Sequence, residues 1–203
     1  MLRIILIATA ITTLFARQAD SKTKLDVVSI PTIGLQVTKP KTWHHLSAQA
    51  NSDNLRKLEL DDKALQEAIV KQASVPIAAF TKYLEPYPDL NPSFKINVRP
   101  LGNLPTNAVG ILQLIVPSMQ KAFGAKLEQP PVATTVSGLP ATYVRFSYVM
   151  SSAGAKYPTT SELWIVPRDT YFFFIGAGTR QDESNGSRAD VKAIIDGIRI
   201  KTK

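Results

Sequence analysis

His44 and His45 are the only imidazoles in a chain of 203 residues that contains no cysteine. Imidazole is the side chain that gains and loses a proton near neutral pH, so acid–base catalysis or metal binding would naturally begin there. The two are adjacent, and on an extended backbone neighbouring side chains point to opposite faces, so they cannot grip one ion together. A zinc site would need its remaining ligands from distant carboxylates. The simpler reading makes both ordinary loop residues beside Trp43. Without cysteine, disulfide scaffolds, thiolate metal sites, iron–sulfur clusters and thiol catalysis are excluded. Gly176-Ala177-Gly178 begins like a dinucleotide fingerprint, but Gln181 stands where the third glycine belongs and a polar loop follows. No Gly-x-Ser-x-Gly elbow, phosphate-binding loop ending in Gly-Lys-Ser/Thr or His-Glu-x-x-His occurs. The sequence therefore assigns no catalytic residue, no metal ligand and no cofactor.

Recognition chemistry is better served. In Tyr83-Leu84-Glu85-Pro86-Tyr87-Pro88-Asp89-Leu90-Asn91-Pro92 the three prolines pre-order the backbone. Tyr83 and Tyr87 offer flat amphipathic area, and Glu85 and Asp89 can accept hydrogen bonds from cations or hydroxyls. Such a loop loses little entropy on binding. The same residues also suit a stiff connection between two strands, with the tyrosines packed on the sheet edge. With nearby Trp43, the residues Tyr83, Glu85, Tyr87 and Asp89 form the candidate ligand- or partner-binding set. Asn185-Gly186-Ser187 matches a glycosylation sequon, although a turn followed by a helix cap explains it fully.

Positioning these groups is the task of the elements around them. Leu25–Ile30 and Leu35–Val37 read as short strands separated by Pro31 and Gly34, after which Thr38 to Trp43 turns the chain out of the sheet. Residues 61–73 form a helix by periodicity, with Asp61 and Asp62 at its start and Lys71 near its end. Val75–Tyr83 follows as a strand. Ser93–Arg99 alternates apolar and polar residues strictly, as a half-exposed strand does. Thr106 can cap a second helix to about Phe123, its buried stripe being Val109, Leu112, Ile115 and Met119. Pro117 should interrupt it and Gly124 close it. Ala141–Met150 and Thr160–Val166 make a hairpin pair. Tyr171–Ile175 is apolar on both faces and so belongs at the centre of a sheet covered above and below. Ser187, with Asp190 three residues on, caps a last helix whose core side is Val191, Ile194, Ile195 and Ile198. Helices between antiparallel strands predict an α+β fold, a three-layer α/β/α sandwich around one mostly antiparallel sheet. At this length, with a hydrophobic fraction of 44%, one domain can bury a sufficient core without metal or disulfide.

Where the domain works is written at the N-terminus. Arg3 precedes the apolar run Ile4–Ala16, which is too short and too broken by threonines for a membrane span of about 20 apolar residues. A cationic start, a short apolar stretch and a small residue describe a secretory signal peptide. The expected division is a signal peptide over 1–16, a tether over 17–24 and a single domain over 25–203. Localisation is then secreted or periplasmic, in the cell envelope, and the chain is not an integral membrane protein after cleavage. The chain is basic, with 24 Lys+Arg against 16 Asp+Glu. Its positive charges, among them Lys22, Lys24, Lys39, Lys41, Lys95, Arg99, Lys121 and Lys126, are scattered singly, as on a solubilising surface. A partner would be a protein or an envelope component, and long-range attraction favours an anionic one. Export removes the chain from nucleic acid, so none is expected.

The order of features also resembles a known family. Gly34-Leu35-Gln36-Val37 followed by Pro40 and Trp43, then Val136-Ser137-Gly138-Leu139-Pro140-Ala141 feeding a long strand, come first. Glu162-Leu163-Trp164-Ile165-Val166 follows, then Phe172-Phe173-Phe174 with Ala177 and a short C-terminal helix. This order, over residues 25–200, resembles the PsbP-like fold, named for the lumenal extrinsic subunit of photosystem II and shared by a nuclear import factor that binds the GTPase Ran. The resemblance implies the sandwich architecture and a binding or assembly role without catalysis. It carries over no functional residue. The expectation is thus a secreted or periplasmic non-catalytic binding or assembly module. The alternative is a small-molecule carrier or hydrolase with its site between sheet and helix layers.

Overall fold

The computed structural model describes residues 24–57, 76–152 and 154–201. The segment expected to be a signal peptide, nearly all of the expected tether and the helix expected over 61–73 lie outside the described residues. Strands β1 (Leu25–Ile30) and β2 (Leu35–Pro40) are joined by a single 3-10 turn, and β3 (His44–His45) and helix α1 (Ala48–Arg56) follow. Next come β4 (Ala78–Thr81), β5 (Ser93–Pro100) and α2 (Ala108–Phe123). The second half holds β6 (Lys126–Val136), β7 (Leu139–Ser152), β8 (Ala155–Pro167) and β9 (Tyr171–Arg180), then α3 (Ser187–Asp196) and β10 (Ile198–Ile200).

Seven strands form the main sheet in the order β3-β4-β5-β9-β8-β7-β6, and every pairing in it is antiparallel. The phenylalanine-rich β9 lies fourth of seven, at the centre. Its alternation sends Phe172 to one face and Phe173 to the other, and both are buried. On the first face, Ala108, Ile111 and Leu112 of α2 cover Val144, Phe146, Leu163, Ile165 and Phe172. On the second, Val191, Ile194 and Ile195 of α3 pack over Phe94, Ile96, Phe173 and Ile175. The three-layer sandwich expected from the apolar run is therefore the architecture found. One feature departs from it: β1, β2 and β10 form a separate three-stranded sheet beside α3, adding Leu35, Val37, Ile198 and Ile200 to the second core.

Local chemistry moved several boundaries. Asn107, not Thr106, caps α2, because its extended backbone lets its side-chain oxygen accept the Gly110 amide at 2.7 Å. Asn107→Ala should cost about 1 kcal/mol in a denaturant titration, the typical worth of such a cap. A change near zero would show that Thr106 can take over. Pro117 lies inside α2 and does not divide it, since the helix is anchored to the sheet on both sides, by Ile111 and Leu112 before and Met119 and Phe123 after. Val109 is 41% exposed and leaves the expected stripe, whereas Leu112 is buried, Ile115 and Met119 pack against the same core, and Ala108 and Ile111 are buried with them. At α3 the expected capping box does not form. Gly186 is the N-cap at φ +66°, the Ser187 hydroxyl donates back to the Asn185 side chain, and Asp190 is engaged elsewhere. Ile198 belongs to β10 and not to the helix, because α3 stops at Gly197. There any side chain would collide with the Thr38 carbonyl, 2.7 Å from where its Cβ would stand.

Candidate functional site

The main sheet is not uniformly filled on its α2 side. Positions facing that way include Ser93 and Lys95 of β5, Gly176 and Gly178 of β9, which carry no side chain, and Ser161 and Leu163 of β8. Cross-strand register sets Gly178 between Ser93 and Ser161, and Gly176 between Lys95 and Leu163. A patch of glycine and serine in mid-sheet leaves a hollow where β-branched or aromatic residues would normally stand. The result is a cavity of about 510 Å³, walled by the end of α1 at Asn54 and Leu55, by Tyr148 and Met150 of β7 and by the 82–92 connection.

That connection is braced from within. The Lys82 amide donates to the Pro92 carbonyl at 2.9 Å, closing the loop's neck. Asn91 ties its interior, accepting the Tyr83 amide at 3.1 Å and donating to the Tyr83 carbonyl and to Glu85. Glu85 also accepts from Asn54 of α1 and from the Tyr87 amide. Tyr83 and Tyr87 stack with centroids 4.3 Å apart. Asp89 is held by Arg180, whose guanidinium also grips Asp182 and pushes that carboxyl down to about 2. Both loop carboxylates therefore already have donors.

Lys95 differs. It projects from β5 between the small neighbours Ala79 and Gly176 into the cavity. Among the described residues it has no hydrogen-bond or ion-pair partner. Burial disfavours its charged form and pushes the ammonium down to about 8 from 10.5. Ser161 shares a 3.0 Å hydrogen bond with the Tyr148 hydroxyl. Tyr148 and Tyr87 are both shifted upward, chiefly by burial.

The sequence-derived site residues separate accordingly. Glu85, Tyr87 and Asp89 line the cavity, and Tyr83 stands behind Tyr87 as its stacking partner. Trp43 is corrected. It is 1% exposed, belongs to the α3-side core on the opposite face of the sheet, and donates its indole N–H to Asp190 at 3.1 Å. An indole so enclosed cannot meet a partner. Asp190 also pairs with Lys82 at 2.9 Å, so the missing capping carboxylate is accounted for. His44 and His45 pair with Thr81 and Phe80 in a two-residue strand, and neither lines the cavity. Among the described residues no group of three or more His, Asp or Glu could hold a metal ion.

Lys95 was absent from the sequence-derived set, where it counted among scattered surface charges. The signal was present in the alternation of Ser93–Arg99, whose polar face looks into the cavity at Ser93 and Lys95. A second cavity of about 540 Å³ lies under α3, lined by Tyr143, Glu162, Trp164 and Arg188. Its buried Glu162 is held by the Tyr143 hydroxyl at 2.5 Å.

No protein-family model matches the chain, and no curated protein matches it in sequence. Solved structures do. LpqN, involved in cell envelope biogenesis of Mycobacterium tuberculosis, is 14% identical over 88% of this chain and 91% of its own, with a TM-score of 0.55. PA94 of Pseudomonas aeruginosa, a protein of unknown function and putative regulator, is 10% identical over 88% of this chain and 99% of its own, with a TM-score of 0.50. The solution structure of cyanobacterial PsbP from Synechocystis is 12% identical over 93% of this chain and 99% of its own, with a TM-score of 0.47. At these identities the likeness is one of fold, and it rests on the first two. Among the described residues no helix is long and apolar enough to cross a membrane.

Proposed function

We propose that the chain is an exported binding module of the cell envelope, which captures a small molecule in the cavity beneath the 82–92 connection and performs no chemistry on it. The cavity itself carries the reading. Its volume of about 510 Å³ falls within the range of small-molecule sites, and its lining mixes apolar walls with a few convergent polar groups. The connection over it is cross-braced by its own hydrogen bonds, so binding forfeits little conformational entropy. Among the described residues no imidazole lines the cavity, and its two loop carboxylates are already engaged by Asn54, Asn91, the Tyr87 amide and Arg180. The leader-like N-terminus and the fold likeness to an envelope-biogenesis protein support the location.

Saturable fluorescence enhancement of the neutral dye phenylnaphthylamine by the purified domain tests the cavity. Gly178→Val should weaken it by about tenfold, as filling part of a pocket removes on the order of one apolar contact set. The new Cβ would sit 3.4 Å from the Ser93 hydroxyl, an ordinary strand contact, so folding should survive. Dye bound equally well by wild type and Gly178→Val, or not bound at all, would remove the cavity as a site.

A further inference from the structure

We propose that the ligand of this cavity carries a carboxylate or a similar compact anion, held by Lys95 at the sheet floor with its apolar part against Leu163, Met150 and Leu55. The inference rests on the cavity being the binding site and names the chemical class it selects. Three observations carry it. Among the described residues lining the cavity, Lys95 is the one cation rooted in the sheet, on a central pair of strands, with glycine and alanine as cross-strand neighbours. It has no partner among the described residues, although an ammonium withdrawn from water ordinarily acquires one. The two carboxylates that line the cavity among the described residues, Glu85 and Asp89, are committed to the loop and to Arg180 and do not answer the lysine. The hydroxyls of Ser93 and Ser161 stand on the same face, Ser161 within its bond to Tyr148, and can complete the donor set around a second oxygen. An ammonium in a recess of this kind recognises an anion as a point charge without demanding a planar fork.

Affinity then depends on the proton of Lys95. Among the described residues the other charged or titratable side chains lining the cavity are Lys57 just after α1, Glu85, Tyr87 and Asp89 from the loop, Tyr148 from β7 and Tyr157 from β8. Burial drives Tyr87 and Tyr148 upward, away from the range in which Lys95 titrates.

Isothermal calorimetry with naphthoate and with its uncharged amide, naphthamide, separates the possibilities. At pH 7 naphthoate should bind about tenfold or more tightly than naphthamide, the size of one charge-assisted hydrogen bond. The preference should shrink as pH rises through about 8 and vanish in Lys95→Met. In NMR titrations of the lysine Cε resonances, naphthoate should shift the Lys95 midpoint upward. Equal binding of acid and amide, or a preference that survives Lys95→Met, overturns the anion assignment. Phenylnaphthylamine binding that is still lost in Gly178→Val would then leave the cavity reading standing, whereas absence of all three probes would remove both.

Discussion

Lys95→Met should unfold at a higher temperature than the wild type. An ammonium half-withdrawn from water, with no partner among the described residues, is a cost the native state carries alone. Its displacement from 10.5 to about 8 corresponds to about 3 kcal/mol, an upper limit because part of the side chain keeps its solvent. Methionine has nearly the same length without the charge. For a chain of this size that gain translates to roughly 6–12 °C. The sign can be followed with pH. Below about 8 both folded and unfolded chains hold the proton, and the folded state bears the full penalty. Between about 8 and 10.5 the unfolded chain keeps a proton that the folded one has released. Stability therefore rises with pH, by at most about 1.4 kcal/mol per unit from this group. Above 10.5 neither state holds it and the contribution levels off. Denaturant titrations of both proteins at pH 7 and pH 9.5 should show the variant ahead at the lower value and its lead reduced at the higher. A variant less stable than wild type at pH 7 would make Lys95 a structural residue, and the argument for a ligand-seeking lysine would fail with it. A side chain whose removal stabilises the fold is one retained for something other than folding.

The parts of this molecule that were readable in the sequence are those set by local alternation. The run Tyr171–Ile175 announced a strand covered on both faces, and β9 is the central strand. Ser93–Arg99 announced a half-exposed strand, and the hairpin of β7 and β8 stands where its apolar runs placed it. Elements governed by exceptions escaped. Pro130-Pro131 argues against a strand, yet β6 accommodates both because it is the sheet's edge and its register slips between Gln129 and Val132. Helix α1 escaped for want of apolar period. It buries only Asn51 and is started by the Ser47 hydroxyl, which accepts the Ala50 amide. The candidate site divides along the same line. Its loop was visible because prolines, tyrosines and carboxylates lie together in the chain. Its floor was not, because Lys95, Gly176 and Ser161 become neighbours only through the pairing of three strands. Trp43 was misjudged for the converse reason: proximity to a loop in sequence does not say which face of the sheet an indole will occupy.

Phe173→Ala should be among the most damaging single changes in the described core, costing about 3–5 kcal/mol. Phe173 is fully buried, pairs across the sheet with Val98 and Val166, and meets Tyr171 edge-on at 5.5 Å. Its ring fills space between the central strand and α3 that strand pairing on both sides prevents from collapsing. The loss combines the transfer energy of the ring with the void it leaves. Against a total stability of about 5–15 kcal/mol, that brings the domain close to unfolding. The same geometry makes a sharper demand. Phe173 faces α3, whereas Lys95 faces the cavity on the other side, three register positions away along the β5–β9 pair. Changes so separated should add. Phe173→Ala combined with Lys95→Met should therefore recover most of the stability that the methionine supplies alone, and Phe173→Ala by itself should bind naphthoate with wild-type affinity at temperatures where it stays folded. A cost below about 1 kcal/mol for Phe173→Ala would mean that the two layers do not clamp β9. Strong non-additivity would mean that the cavity and the α3-side core are one packed unit, so that the cavity floor could not be treated as a rigid platform for a ligand.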